Sequence, residues 1–164
     1  MRRKKLLFIC LGNICRSPAA HGIMQQMVDE RGLAAGFEID SAGIGAWHVG
    51  NLPDSRMRSH GHSHGYTFDH HARQICDADL DRFDYVIVMD EENYKAVSRI
   101  KERTGGRAEV CRMADYFTRH PKNDSVPDPY YGGDADFELA IELIEDGCEG
   151  LLSHLTTERE ACTD

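Results

Sequence analysis

Two periodicities alternate along the chain. Short continuous apolar runs mark strands, and apolar residues three or four apart mark helices. Residues 5–10 (KLLFIC) are predicted as the first strand. Spacing through Ile23, Met24, Met27 and Val28 predicts a helix over 18–31, stopped by Gly32. Residues 37–41 read as a second strand, and 54–64 as a helix closed by Gly65. Residues 85–89 (YVIVM) are apolar throughout, as in a strand covered on both faces. A helix over 91–103, broken by Gly105 and Gly106, precedes a fourth strand at 108–112. A stripe from Phe137 through Ile141, Ile144 and Cys148 to Leu152 predicts a last helix over 134–154. This alternation predicts an α/β fold, a parallel sheet with helices on both faces. Ligands of such sheets bind beyond the carboxyl ends of the strands, and Cys10 stands at one of those ends.

No repeat, low-complexity linker or boundary interrupts residues 1–164, so a single domain is expected. The last ~10 residues read as a disordered tail. Hydrophobic content of 41% suffices for one core. A net charge of −9 argues against nucleic-acid binding. It does not exclude an anionic ligand, because local dipoles and one arginine outweigh distant charges. No apolar run approaches the length of a membrane span. The apolar part of the start, MRRKKLLFIC, is too short for a signal peptide, so a cytoplasmic location is expected. The six cysteines are then not expected to form a disulfide framework. Cys10 and Cys15 also lack the CxxC spacing of zinc ribbons and thioredoxins.

The stretch CLGNICRSP, residues 10–18, carries the candidate chemistry. A loop over 11–16 followed by a helix near Ser17 would turn backbone N–H groups toward one point, with the helix dipole behind them. Ser17 is a favourable N-cap and Pro18 suits the first helical position. Gly12 and Asn13 are the residues expected to take positive φ. The product is a cradle for a tetrahedral oxyanion, closed by the bidentate fork of Arg16. Thiols at helix N-termini beside arginine ionise readily, which makes Cys10 a candidate nucleophile against a bound phosphate. The Ser17 hydroxyl is placed to donate to that thiolate.

CLGNICRSP resembles the active-site signature of low-molecular-weight protein tyrosine phosphatases. The resemblance extends to SAG at 41–43, AWHVGN at 46–51, PDSR at 53–56, ARQI at 72–75, DYVIVMDEEN at 84–93 and VPDPYYGG at 126–133. It implies a three-layer fold with a four-stranded parallel sheet in the order 2-1-3-4 and a phosphate-binding loop after strand 1. It implies metal-independent hydrolysis of protein phosphotyrosine and small aryl phosphates through a phosphocysteine, with no cofactor. Cys10 is then the nucleophile. Arg16 and the amides of Leu11, Gly12, Asn13, Ile14, Cys15 and Ser17 hold the phosphate. The partners implied are phosphotyrosine-bearing proteins, met by a monomer.

Asp128, between Pro127 and Pro129, reads locally as a stiff turn. Matched to the family's DPYY it is the general acid for the phenolate, and then the base for water. Tyr130 and Tyr131 would wall the cleft, and in the family they are themselves phosphorylated. Trp47, with Leu11 and His48, falls at the rim, where an aromatic ring stacks on the substrate's. Asn13 and Ser41 resemble loop-organising hydrogen-bond partners, and His70 and Asp90 a pair that braces the site. Cys15 matches a redox guard that traps oxidised Cys10.

Histidines gather at 60, 62, 64, 70 and 71, with His60 and His64 one helical turn apart. No neighbouring cysteine or carboxylate completes a metal site in the sequence, so a solvated helix end is expected. His21 has no assigned role. Two rivals share the loop. A thiol-coupled arsenate reductase needs two relay cysteines, whereas Cys76 stands alone before Cys111. A phosphoprotein-binding module would have no use for Cys10 or Asp128. A metal-binding protein built on the histidine cluster is a third alternative.

Overall fold

A computed structural model describes residues 2–161. β1 (Lys4–Cys10) runs through the centre of the sheet. Its side chains alternate between two hydrophobic clusters. Leu6, Phe8 and Cys10 pack with α1 (Arg16–Glu30) and with the long α5 (Asp134–Ala161). Leu7 and Ile9 pack on the other side with Leu80 of α3 (Asp79–Arg82) and Val97 of α4 (Glu91–Thr104). Leu6 through Ile9 are wholly buried, and each such side chain contributes about 1.5–3 kcal/mol of hydrophobic stabilisation. A run apolar at every position is what burial on both faces demands.

β2 (Phe37–Gly43), β3 (Tyr85–Val88) and β4 (Glu109–Arg112) complete a four-stranded sheet in the order β2-β1-β3-β4. All three pairings are parallel, and Cys10 stands opposite Gly43. The chain leaves β1 for β2 on one side, and β3 returns on the other. That change of direction opens a crevice at the carboxyl end of β1, where the loop 11–15 lies. α2 (Ser55–Ser63) packs beside α5, with Asp54 capping its first turn. No described helix is long and apolar enough to cross a membrane.

Several boundaries differ from expectation. α1 starts at Arg16, with Cys15 at its N-cap, so Ser17 is not the cap. Its hydroxyl is committed elsewhere, as described below. Asn13 has φ of 59°, the only non-glycine residue with positive φ among the described residues, whereas Gly12 does not. Space explains Gly12 instead, since a Cβ there would lie 3.0 Å from the His48 ring. β2 extends to Gly43 because it continues to pair with β1. α5 continues to Ala161, into the segment expected to be a disordered tail. The rest of that segment, 162–164, lies outside the described residues.

Candidate active site

The loop after β1 is held by its carbonyls. Cys10 and Leu11 C=O accept from Ile44 and Gly45 N–H at 3.0 and 2.9 Å, and Ile14 C=O accepts from Asp54 N–H at 2.7 Å. The N–H groups of Leu11, Gly12, Asn13, Ile14 and Cys15 have no protein acceptor among the described residues. Five adjacent amides in this condition form a nest for an anion, with the first turn of α1 adding its dipole.

Asn13 locks the loop in shape. Its Nδ2 donates to Ser17 Oγ at 2.7 Å and to Ser41 Oγ at 3.1 Å. Its Oδ1 accepts from Arg73 N–H at 3.0 Å and faces His70 Nε2 at 3.2 Å. Ser17 Oγ is 3.0 Å from Cys10 Sγ. Because Asn13 already donates to that oxygen, the Ser17 proton is left for the sulfur or for the Ala42 carbonyl at 3.4 Å.

Arg16 is 2% exposed and braced on one side only. Nη1 donates to Asp90 Oδ2 at 2.6 Å and to the Val126 carbonyl at 2.9 Å. Asp90 is itself fixed as the N-cap of α4, accepting from Asn93 N–H at 2.9 Å. Burial works against the Arg16 charge, but Cys10, Asp90 and Asp128 outweigh it and raise its pKa. Nη2 lies 3.6 Å from Asp128 Oδ2. Nε is buried with no partner. A buried donor without an acceptor is costly unless a ligand supplies one. Nε and Nη2 together form the bidentate fork expected from the sequence.

Asp128 is held from both sides. Val126 N–H donates to Met89 C=O at 2.8 Å, which ties the segment to the end of β3. Asp128 Oδ1 accepts from Tyr130 N–H at 3.2 Å. Arg56 donates from Nη2 to the Tyr130 carbonyl at 2.9 Å and stacks its guanidinium over the Tyr130 and Phe137 rings. Arg56, Arg73 and Gly43 are positioning residues that pattern reading did not single out. The PDSR and SAG stretches were the available signal. A Cβ on Gly43 would lie 2.9 Å from both Asn13 N and Gly12 C, so the end of β2 and the loop touch backbone to backbone.

The pocket so formed has a volume of about 300 Å³. Cys10, Leu11, Gly12, Ile14, Cys15, Arg16, Trp47, His48, Asp128, Tyr130 and Tyr131 line it. Trp47 is 70% and Tyr131 93% exposed, so the rim is aromatic and open. Asn13, Ser17, Ser41, His70 and Asp90 lie beneath or behind it. Burial first, then Asp54 and Cys10, push the Cys15 thiol well above its ordinary range. His21, unassigned from sequence, faces Ser41 Oγ at 3.3 Å and meets the His70 ring edge-on. Burial, then His70, lowers its pKa to about 4, and burial lowers that of His70. His60 and His64 do have carboxylate neighbours, contrary to the sequence reading: Glu138 bonds both and Asp134 reaches His60.

The comparisons agree with this geometry. Residues 5–161 match the family model for low molecular weight phosphotyrosine protein phosphatases. The chain belongs to that family. A low molecular weight protein-tyrosine-phosphatase of Bacillus subtilis is 41% identical over 158 residues, 94% of this chain and 97% of that protein. A protein tyrosine phosphatase crystal structure from Entamoeba histolytica superposes with a TM-score of 0.88 at 39% identity, covering 95% of this chain and 99% of its own. A Drosophila arginine phosphatase superposes at 0.87 with 31% identity, covering 92% and 97%. Structures with this fold therefore include enzymes named for two different phosphorylated side chains.

Proposed function

We propose that the chain hydrolyses phosphotyrosine in proteins, and small aryl phosphates, through a phosphocysteine on Cys10. The carrying observation is the orphaned Nε of Arg16, beside Nη2, in a pocket that Cys10 and Asp128 also line. The Cys10 thiolate attacks phosphorus, and the bond from phosphorus to the aryl oxygen breaks. Asp128 delivers its proton to the leaving phenolate. A water molecule then attacks phosphorus, Asp128 takes its proton, and the S–P bond breaks to return thiolate and inorganic phosphate. Ser17 donates to the sulfur as it leaves. Arg16 and the five amides hold the equatorial oxygens and supply the positive field of the transition state.

The apolar wall of Leu11 and Ile14 and the rings of Trp47, Tyr130 and Tyr131 favour an aryl ester over a phosphorylated guanidine. Turnover of phosphotyrosine and phosphoarginine peptides compared side by side separates the two. Arsenate reduction is disfavoured because Cys111 lies buried in β4, which leaves Cys76 without a second relay cysteine beside it. Cys15 is the redox guard in this reading: a sulfenic acid on Cys10 condenses with its thiol, releasing water and leaving a disulfide. We place the enzyme in the cytoplasm as a monomer acting on proteins rather than nucleic acids. Five described cysteines without a disulfide and a net charge of −9 fit that setting. Cys10→Ser is expected to abolish release of p-nitrophenol from p-nitrophenyl phosphate, and retained turnover removes the proposal.

A further inference from the structure

His21, Asp40 and His70 form a second group of chemistry-bearing side chains, behind the loop rather than in the pocket. They come from α1, from β2 and from the segment between α2 and α3. One ring nitrogen of each histidine and one carboxylate oxygen of Asp40 lie within 4.8 Å of one another. The two rings stand edge to face with centroids 4.9 Å apart. A cavity of about 260 Å³ lined by His21, Asp69 and His70 adjoins them.

The proton inventory of His70 points to a cation. Asn13 uses Nδ2 to donate, so its Oδ1 is an acceptor, and His70 Nε2 faces it at 3.2 Å. The other nitrogen, Nδ1, faces Asp40 Oδ1 at 3.8 Å. A neutral imidazole carries one proton, yet oxygens approach from both sides. With the proton on Nε2, a lone pair is left opposite a carboxylate. A metal ion between Nδ1 and Oδ1 resolves that opposition. It also gives the usual arrangement of a ligating histidine, one nitrogen on the ion and the other N–H fixed on an oxygen.

Arg73 does not fill this place. Its guanidinium takes Asp40 Oδ2 at 3.0 Å and is balanced on its far side by Asp79. Asp40 Oδ1 accepts one hydrogen bond, from Ser41 N–H at 2.8 Å, and retains a lone pair. Two imidazoles and one carboxylate suit zinc and its neighbours rather than magnesium or calcium.

We propose that His21, Asp40 and His70 bind one divalent transition metal ion of the zinc class, with water completing its coordination. The ion holds His70 Nε2–H on Asn13 and so stiffens the loop from outside the pocket. No chemical step passes through it, and the site stands independently of the substrate assigned above.

The test uses cobalt(II) as a spectroscopic probe, titrated into the full chain carrying Cys10→Ser, which removes the pocket thiol as a competing ligand. Saturation at one ion per chain is expected, with the ligand-field bands of a nitrogen–oxygen site, displaced by zinc. Adding His21→Gln should weaken binding by at least ~10-fold, since even outer partners of a ligand contribute that much. Asp40→Asn should do the same, and serves if the first variant folds poorly. His64→Gln, on the α2–α5 surface, should bind as the parent does. Zinc should raise the melting temperature of the parent and not that of His21→Gln. No binding by the parent at micromolar cobalt, undiminished binding in both ligand variants, or loss of binding in His64→Gln overturns the proposal.

Discussion

In the proposed reaction Arg16 divides its five N–H donors between protein and substrate. Nη1 is committed to Asp90 and Val126, Nε has no protein acceptor, and Nη2 lies 3.6 Å from Asp128, which lines the pocket with Arg16. A lysine carries the same charge but no fork, so it cannot meet Asp90, Val126 and two phosphate oxygens together. Arg16→Lys is therefore expected to lower kcat/KM on p-nitrophenyl phosphate by at least ~100-fold. Inhibition by inorganic phosphate should weaken in parallel, and steady-state kinetics reads both. In the proposed reaction Asp128 acts on the leaving group, so its removal should matter in proportion to that group's need for a proton. Asp128→Ala is expected to slow phenyl phosphate by ~100-fold or more, and esters of acidic phenols much less. Equal slowing across a leaving-group series would contradict the assignment.

At the scale of elements, the site is a contact between the end of β1, the start of α1 and the end of β2. Gly43 is where the last of these comes closest to the loop. Gly43→Ala sets a methyl against backbone atoms that have no rotamer to escape through. Overpacking of this kind costs about 1–3 kcal/mol. We expect a lower urea midpoint, together with a fall in phosphate affinity that Ala substitutions at solvent-exposed positions do not produce. The elements themselves were largely legible. KLLFIC and YVIVM are apolar at every position because both faces are covered, and that signal is local. α3 escaped notice because its four residues complete scarcely one turn, too few to show a period. Ser17 was read as a cap because its type favours that role, whereas its hydroxyl is engaged by Asn13, Cys10 and the Ala42 carbonyl. The loop chemistry was readable because Cys10 and Arg16 share one short stretch. The partners of His60 and His64 were not, because Asp134 and Glu138 lie more than 60 positions further on and no local spacing encodes that approach.

At the scale of the molecule, α5 anchors the segment that leads to Asp128. The Asp146 side chain, fully buried, accepts from the N–H groups of Thr118, Arg119 and His120 and from the His120 ring. Burial opposes its charge, but these donors outweigh it and lower its pKa from 3.8 to about 2. A depressed carboxylate stabilises the fold above its unfolded pKa, and that contribution fades as pH falls from about 4 to about 2. Asp146→Asn should lose on the order of 2 kcal/mol at pH 7 and show less additional loss at pH 3 than the parent, as urea midpoints would report. The loop so anchored ends at Val126, whose carbonyl binds Arg16 across 110 positions of sequence. The two halves of the site are thus made far apart in time during synthesis. Cys10 leaves the ribosome 118 positions ahead of Asp128. A nascent chain paused before Val126 would carry a buried guanidinium short of one acceptor and a sulfur with no acid to serve it. Phosphate chemistry would begin only after Asp128 has been made.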